Sequence, residues 1–206
     1  MVTKRTFGKL SSGEEIQIFH LENKSGAYAE ISQFGAILVK LCVPDREGKL
    51  TDVVLGYDDL AGYEVNGCFF GATIGRSGNR IADSRFVLDG QEITLTPNEG
   101  KNNLHSGPNG FEKKIWNAAE ISEDKNANMT NHSYFNLAGE GSGKAMDQYL
   151  TIHAESYTPV GEGSIPLGEN APVEGTPMDF RTPHQIGDEI EADFEQLKIT
   201  GGYDHN

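Results

Sequence analysis

Two short polar segments each place one histidine among side chains that form hydrogen bonds. They are Asn102–Gly107, which carries His105, and Asn131–Leu137, which carries His132. Histidine is the side chain whose ordinary pKa, about 6.5, allows it to give or take a proton near neutral pH. Two histidines beside amides and hydroxyls therefore indicate proton transfer on a polyhydroxylated substrate. A single histidine in a strand is more often a structural residue, and that alternative stays open for each of them.

A third segment, Gly71–Ile81, combines several glycines with an amide and a guanidinium. Asn79 and Arg80 supply hydrogen-bond donors of the kind that bind sugar hydroxyls. A purely structural turn would use the same residue types, so this alternative also stays open.

Other familiar motifs fail on inspection. Gly139–Ala145 resembles a phosphate-binding loop, but Ala145 stands where the magnesium-binding hydroxyl belongs. Histidine, cysteine and acidic residues nowhere have zinc spacing, and no calcium-binding loop is present. We therefore expect neither a metal nor a cofactor.

Composition narrows the class of protein. The 206 residues contain 17 Lys and Arg against 31 Asp and Glu, a net charge of −14 that would repel nucleic acid and anionic lipid surfaces. No apolar run reaches the length of a membrane span or forms a signal peptide. Cys42 and Cys68 are too few for a disulfide framework. We expect a cytoplasmic protein with neither nucleic acid nor membrane as a partner, in a single domain over residues 1–206, while the oligomeric state stays unknown.

The hydrophobic pattern has the period of β-strands. Ile16 and Ile18 alternate with polar residues, and Ala36–Val43 is typical of a mostly buried strand. Asp89-Gly90 lies between two alternating runs and predicts a two-residue hairpin turn. Only Asp188–Leu197 favours a short helical turn. The sequence thus predicts an all-β fold of antiparallel strands.

Together these segments resemble the aldose 1-epimerase (galactose mutarotase) family. The resemblance covers most of the chain and rests on ordered motifs: Gly71–Arg76, Asn79–Ile81, Asn103–Pro108, Gly110-Phe111, Asn128–Leu137, Ile165-Pro166, Gly175–Arg181 and Gly202–His205. It implies an antiparallel β-sandwich that holds a sugar in an open cleft. It also implies interconversion of the α and β anomers of free aldohexoses, with no cofactor.

The resemblance assigns roles to individual residues. His132 matches the proton donor to the ring oxygen, and His105 matches a second histidine bonded to the same sugar. Asp204 matches a carboxylate that accepts from another hydroxyl. Expected further substrate contacts are Asn79, Arg80, Ser133 and Tyr134.

The chain also departs from the family pattern. The family carries further strands where this chain has only the short segment between Trp116 and Asn128, and its general-base glutamate lies in a part that would follow Asn206. We therefore expect an incomplete sandwich and slower turnover, because the proton at C1 would pass to water or to His105. The alternative is a non-catalytic sugar-binding module, and a sugar-phosphate epimerase is a weaker third hypothesis.

The remaining histidines and the tryptophan are assigned structural roles. Trp116 is expected in the core. The histidines expected to be structural or merely exposed are His20, His153, His184 and His205.

Overall fold

The computed structural model describes residues 2–118 and 130–205, and its regular structure is mainly antiparallel β. These residues divide into two compact units. The first takes in the described part of Met1–Asn79 and Asp83–Gly143, and the second takes in Arg80–Ala82 and Lys144 onwards. The sequence expectation of one domain stays a prediction.

The first unit is built on a five-stranded antiparallel sheet whose strands are neighbours in chain order. Short turns connect successive strands, as expected when each strand pairs with the next. The strands are β1 (Val2–Lys9), β2 (Glu15–Glu22), β3 (Tyr28–Ser32), β4 (Leu38–Pro44) and β5 (Leu50–Asp52).

The other elements are short. The helices are α1 (Leu60–Val65) and α2 (Glu195–Thr200), with 3₁₀ turns at Ala82–Ser84, Gly107–Asn109, Phe111–Lys113 and Glu162–Ser164. The remaining strands are β6 (Thr73–Ile74), β7 (Arg80–Ile81), β8 (Arg85–Leu88), β9 (Gln91–Thr94), β10 (Asn103–Leu104), β11 (Thr130–Asn131), β12 (Tyr149–Leu150), β13 (Ser156–Tyr157), β14 (Ala171–Pro172) and β15 (His184–Gln185).

The core of the first unit lies on one face of the five-stranded sheet. Ile16 and Ile18 are fully buried, whereas Glu15 is exposed and Gln17 is half-buried, so the alternation predicted for this strand is confirmed. Strand β6 and helix α1 cover this face. The core residues are Leu10, Ile16, Ile18, Phe34, Ile37, Val39, Leu60, Tyr63, Ala72 and Ile74.

The predicted hairpin forms between β8 and β9. Its register pairs Leu88 with Gln91, and the two turn residues have positive φ angles, 49° at Asp89 and 76° at Gly90. Two successive positive φ angles define the type I′ turn, whose twist matches that of the flanking strands.

Helix formation follows the sequence less closely. Helix α1 was not predicted, since its six residues are too few to show a helical period. The Asp59 side chain accepts from the Gly62 N–H and so caps the N-terminus of this helix. The predicted helical turn in 188–197 forms only in its last three residues, at the start of α2.

Trp116 does not belong to the core, which corrects the expectation. Its side chain is half-buried, and its indole Nε1–H donates to the Phe111 carbonyl at 3.1 Å. The two rings meet edge to face with centroids 5.4 Å apart. A polar contact at the surface of the unit explains this position, because the indole N–H needs an acceptor.

In the second unit, α2 is hydrogen-bonded to the backbone of Val160. The Gln196 side chain accepts from the Val160 N–H at 2.7 Å and donates to its carbonyl at 3.0 Å. His205 packs against the same amide, with Nε2 3.2 Å from Gln196 Oε1, and its buried Nδ1 has no hydrogen-bond partner among the described residues. Burial lowers the pKa of His205, and the nearby Asp204 carboxylate opposes that shift.

No helix in the described ranges is both long enough and apolar enough to cross a membrane.

We predict that Ile18→Ala destabilises the protein by about 2–5 kcal/mol, because it leaves a cavity beneath the sheet. Chemical denaturation followed by circular dichroism measures this loss. Val87→Ala is the matched control, since Val87 is 66% exposed and should change the free energy of unfolding by less than about 0.5 kcal/mol. Equal losses in the two variants would contradict the placement of the core.

We further predict that His205 makes the protein less stable in mild acid. Its folded pKa lies below the unfolded value of about 6.5, so stability is lost as the pH falls through that value. Between about pH 7.5 and pH 5.5, the free energy of unfolding should therefore fall more in the wild type than in His205→Gln. His153→Gln, at an exposed histidine, should behave as the wild type does; identical pH dependence in all three proteins would refute the prediction.

Candidate active site

Gly71 is the residue at which the site's backbone comes close to β4 of the five-stranded sheet. Gly71 is buried with a φ of 63°, and a methyl group on its Cα would lie 2.1 Å from the Leu38 carbonyl oxygen. The Leu38 N–H donates to the Gly71 carbonyl at 2.9 Å. Only glycine meets both the positive φ and the close approach.

His132 is fixed to this segment through its backbone. Its N–H donates to the Ala72 carbonyl at 2.9 Å, and its carbonyl accepts from the Gly71 N–H at 3.1 Å. Strand β11 continues this pairing by placing Asn131 opposite Thr73. The two sequence segments singled out for their glycines and for His132 are therefore neighbours in space.

The residues after His132 extend the same face. The Ser133 hydroxyl donates to Asn131 Oδ1 at 2.5 Å, so its proton is already engaged. Tyr134 is 47% exposed, and its carbonyl accepts from the Leu55 N–H at 2.9 Å. These bonds hold the segment against the chain that follows β5.

His105 is held by a reciprocal pair of hydrogen bonds with Asn79. The Asn79 N–H donates to His105 Nδ1 at 3.0 Å, and the His105 N–H donates to the Asn79 carbonyl at 3.1 Å. Because Nδ1 accepts, the proton of the neutral imidazole is on Nε2. Ser106 adds a second tie, since its hydroxyl accepts from the Ser77 N–H at 2.9 Å and donates to the Ser77 carbonyl at 3.0 Å.

Three of the residues that form these hydrogen bonds have positive φ angles, which are unusual for residues other than glycine. The φ angles of Asn79, His105 and Ser106 are 59°, 54° and 72°. Left-handed conformations of this kind cost free energy in residues other than glycine and persist where surrounding contacts impose them. The Asn79–His105 pair is such a contact.

The two imidazoles meet directly. The ring centroids of His105 and His132 are 5.2 Å apart and the ring planes cross at 86°. Both rings are half-buried, so they are partly open to solvent. A small polar molecule at this position would contact two groups that exchange protons near neutral pH.

Phe69 completes the cluster and was missed by the sequence analysis. Its ring centroid lies 5.0 Å from that of His105 and 5.7 Å from that of His132. Tyr134 also packs against His132, with ring centroids 5.3 Å apart. The available signal was the position of Phe69 just before the Gly71 motif, but its left-handed φ of 58° has no sequence signature.

Two predicted site residues belong to the second unit. Arg80, in β7, is half-buried, and Asp204 is exposed. Their participation stays a prediction, whereas Asn79, His105, His132, Ser133 and Tyr134 all lie in the first unit. The predicted motif also includes Asn128 and Met129, and these lie outside the described residues, as do residues 119–127 of the segment where the family pattern carries further strands.

Within the described ranges, no three histidine, cysteine or acidic side chains are grouped so as to bind a metal ion.

Comparison with known sequences identifies relatives along the whole chain. A sequence model of the aldose 1-epimerase family matches residues 17–127 and 118–206. The galactose mutarotase of Bos taurus is 36% identical over 248 residues, which take in 100% of this chain and 71% of the relative. The aldose 1-epimerase of Escherichia coli is 33% identical and matches 94% of this chain and 68% of its own length. These matches confirm the resemblance found in the sequence.

Solved structures agree on the fold. Galactose 1-epimerase from Lactobacillus acidophilus superposes with a TM-score of 0.82 over 100% of this chain and 73% of its own, at 24% identity. An aldose epimerase homologue from C. elegans superposes with a TM-score of 0.77 over 86% of this chain and 67% of its own, at 29% identity. The all-β, antiparallel fold expected from the sequence is confirmed.

We predict that Phe69→Ala loosens the two imidazoles. Aromatic contacts at these distances contribute roughly 0.5–1.5 kcal/mol each beyond burial, and their loss allows both rings to move. In NMR spectra, the ring protons of His105 and His132 should move toward their random-coil shifts. Phe86→Ala, at an exposed phenylalanine of the β8–β9 hairpin, should leave both histidines unchanged; unchanged histidine signals in Phe69→Ala would show that Phe69 does not hold the rings.

Proposed function

The chain belongs to the aldose 1-epimerase family, and on that premise we propose that it is an isomerase that interconverts the α and β anomers of free aldohexoses such as glucose or galactose. The observation that carries the proposal is the direct contact of His105 and His132, whose centroids are 5.2 Å apart. This contact brings together two imidazoles, so that one can give a proton to the ring oxygen while the other donates a hydrogen bond to the same sugar.

The reaction needs two proton movements that reverse each other. A base removes the proton of the C1 hydroxyl while an acid protonates the ring oxygen, and the bond between C1 and the ring oxygen breaks to give the open aldehyde. Rotation about the C1–C2 bond then exposes the other face of the carbonyl. Ring closure returns both protons and leaves the opposite anomer.

His132 is the proton donor to the ring oxygen in this proposal. Its backbone is hydrogen-bonded to Gly71 and Ala72, so the main chain that carries the imidazole is fixed next to the core. As an imidazolium it gives its proton to the ring oxygen when the ring opens, and it takes the proton back on closure.

His105 acts as a hydrogen-bond donor. Its Nδ1 accepts from the Asn79 N–H, so Nε2–H points its proton at the sugar and stabilises charge that develops on oxygen. The same bond argues against His105 as the acceptor of the C1 proton, which was one of the two acceptors expected from the sequence, and favours water.

Other residues of the proposal bind the sugar. Tyr134 offers an exposed ring beside His132, Ser133 Oγ accepts from a hydroxyl because its own proton is engaged, and Asn79 holds His105. Arg80 and Asp204 are proposed to orient other hydroxyls. Arg80 stays charged, so it contributes position and electrostatic stabilisation rather than a proton.

We also propose that the protein acts in the cytoplasm on a small-molecule aldohexose, with no nucleic acid or membrane partner. Cys42 and Cys68 are both free thiols, as a reducing compartment favours. The net charge of −14 opposes binding to anionic polymers and lipids. No observation favours the alternative of a non-catalytic sugar-binding module.

We predict that His132→Asn lowers the rate of mutarotation by roughly 10²- to 10⁴-fold, since it removes the acid that protonates the ring oxygen. Polarimetry on freshly dissolved α-glucose or α-galactose measures this rate. His105→Asn should also lose activity, because the amide cannot reproduce both the bond to Asn79 and the Nε2–H donor.

The matched control is His153→Asn, at an exposed histidine of the second unit, which should keep wild-type activity. Sugar binding by the wild type without any faster change in optical rotation would support the binding-module alternative and overturn the proposal.

A further inference from the structure

Glu112 is a buried acid that the proposed reaction does not use. It lies in the 3₁₀ turn Phe111–Lys113, directly after the segment that carries His105, and it is 5% exposed. Its Oε2 is buried and has no hydrogen-bond partner among the described residues. An acid in such a place requires an explanation, because burying a carboxylate without partners costs considerable free energy.

The carboxyl group faces the backbone of the His105 segment. A methyl group on Gly110 would lie 2.2 Å from Glu112 Oε2 and 2.8 Å from the His105 carbonyl oxygen. The two oxygens therefore lie against the same Cα and within about 5 Å of each other. A side chain larger than hydrogen at Gly110 would separate them.

Two oxygens that both accept hydrogen bonds repel each other when they lie close together, unless one of them carries a proton. Burial raises the pKa of Glu112, while its own backbone N–H and the charges of Lys113 and Lys114 oppose the shift. The Lys113 ammonium is engaged elsewhere, since it donates to the Glu64 carbonyl at 2.8 Å, and Lys114 is exposed. A neutral carboxyl has a proton to donate to a carbonyl oxygen, whereas a carboxylate would be repelled by one.

We propose that Glu112 is a positioning residue for His105: its neutral carboxyl holds the Gly107–Gly110 turn against the His105 carbonyl and so keeps His105 in its left-handed backbone conformation. In its catalytic consequence, the inference rests on the proposed mutarotation. Asn79 and Ser77 restrain His105 and Ser106 through hydrogen bonds, and Glu112 restrains the Gly107–Gly110 turn that follows them. When this restraint is lost, the hydrogen bond from the Asn79 N–H to His105 Nδ1 weakens. The imidazole then becomes a mixture of the Nε2–H and Nδ1–H tautomers.

The test compares two variants of nearly equal volume, Glu112→Gln and Glu112→Met. The amide of glutamine donates a hydrogen bond as the neutral acid does, whereas methionine fills the space without a donor. Glu112→Gln should keep kcat within about threefold of wild type, and Glu112→Met should lower kcat by roughly 10- to 100-fold with little change in KM. Glu92→Met is the control, at an exposed glutamate of β9, and should leave both constants unchanged.

A second measurement is independent of activity. In ¹⁵N NMR spectra the wild type and Glu112→Gln should show His105 protonated on Nε2 and slow amide exchange at Asn79. Glu112→Met should show mixed tautomers and faster exchange at Asn79. If the wild type proves inactive, the proposed function fails while these spectra still decide the role of Glu112.

Two results would overturn the inference. One is a folded Glu112→Met protein with wild-type kcat and unchanged Asn79 exchange, and the other is a Glu112→Gln protein as impaired as Glu112→Met, which would mean that the negative charge is required. Should Glu112→Met not fold, Glu112→Asp retracts the carboxyl by one methylene and should give the same faster exchange at Asn79; slow exchange there would equally refute the proposal.

Discussion

The close approach of the backbone at Gly71 to strand β4 is the constraint on which the site depends. The backbone of Gly71 is hydrogen-bonded to two segments. Its carbonyl accepts from the Leu38 N–H, and its N–H donates to the His132 carbonyl. Any side chain at this position would strike the Leu38 carbonyl oxygen. The distance between the hydrophobic core and His132 is therefore set by main-chain geometry, which side-chain motion does not alter.

The two histidines are supported in different ways, and the difference suits their proposed roles. His132 continues an extended strand pairing through its backbone N–H and carbonyl, and its ring takes no part in those bonds. His105 instead uses a ring nitrogen in its support, through Asn79, and that bond selects one tautomer. Phe69 lies against both rings and fills the space that would otherwise allow them to turn.

The sequence predicted those parts of the molecule that depend on local pattern. Alternation at Ile16 and Ile18 and the Asp89-Gly90 turn both follow from rules of spacing and φ preference, and both histidine segments were identified by residue type. The sequence did not reveal the left-handed backbone of His105 or the contact with Phe69, because these arise from packing between segments far apart in the chain. The roles of Arg80 and Asp204 rest on family resemblance alone.

The position of Trp116 has a practical consequence. It is the one tryptophan of the chain; its indole N–H donates to the Phe111 carbonyl, and its backbone N–H donates to the carbonyl of Gln33, the residue that follows β3. Its fluorescence therefore originates where the Phe111–Lys113 turn, which contains Glu112, meets the end of β3. The protein therefore carries an intrinsic fluorescent probe of the contact between that turn and the end of β3.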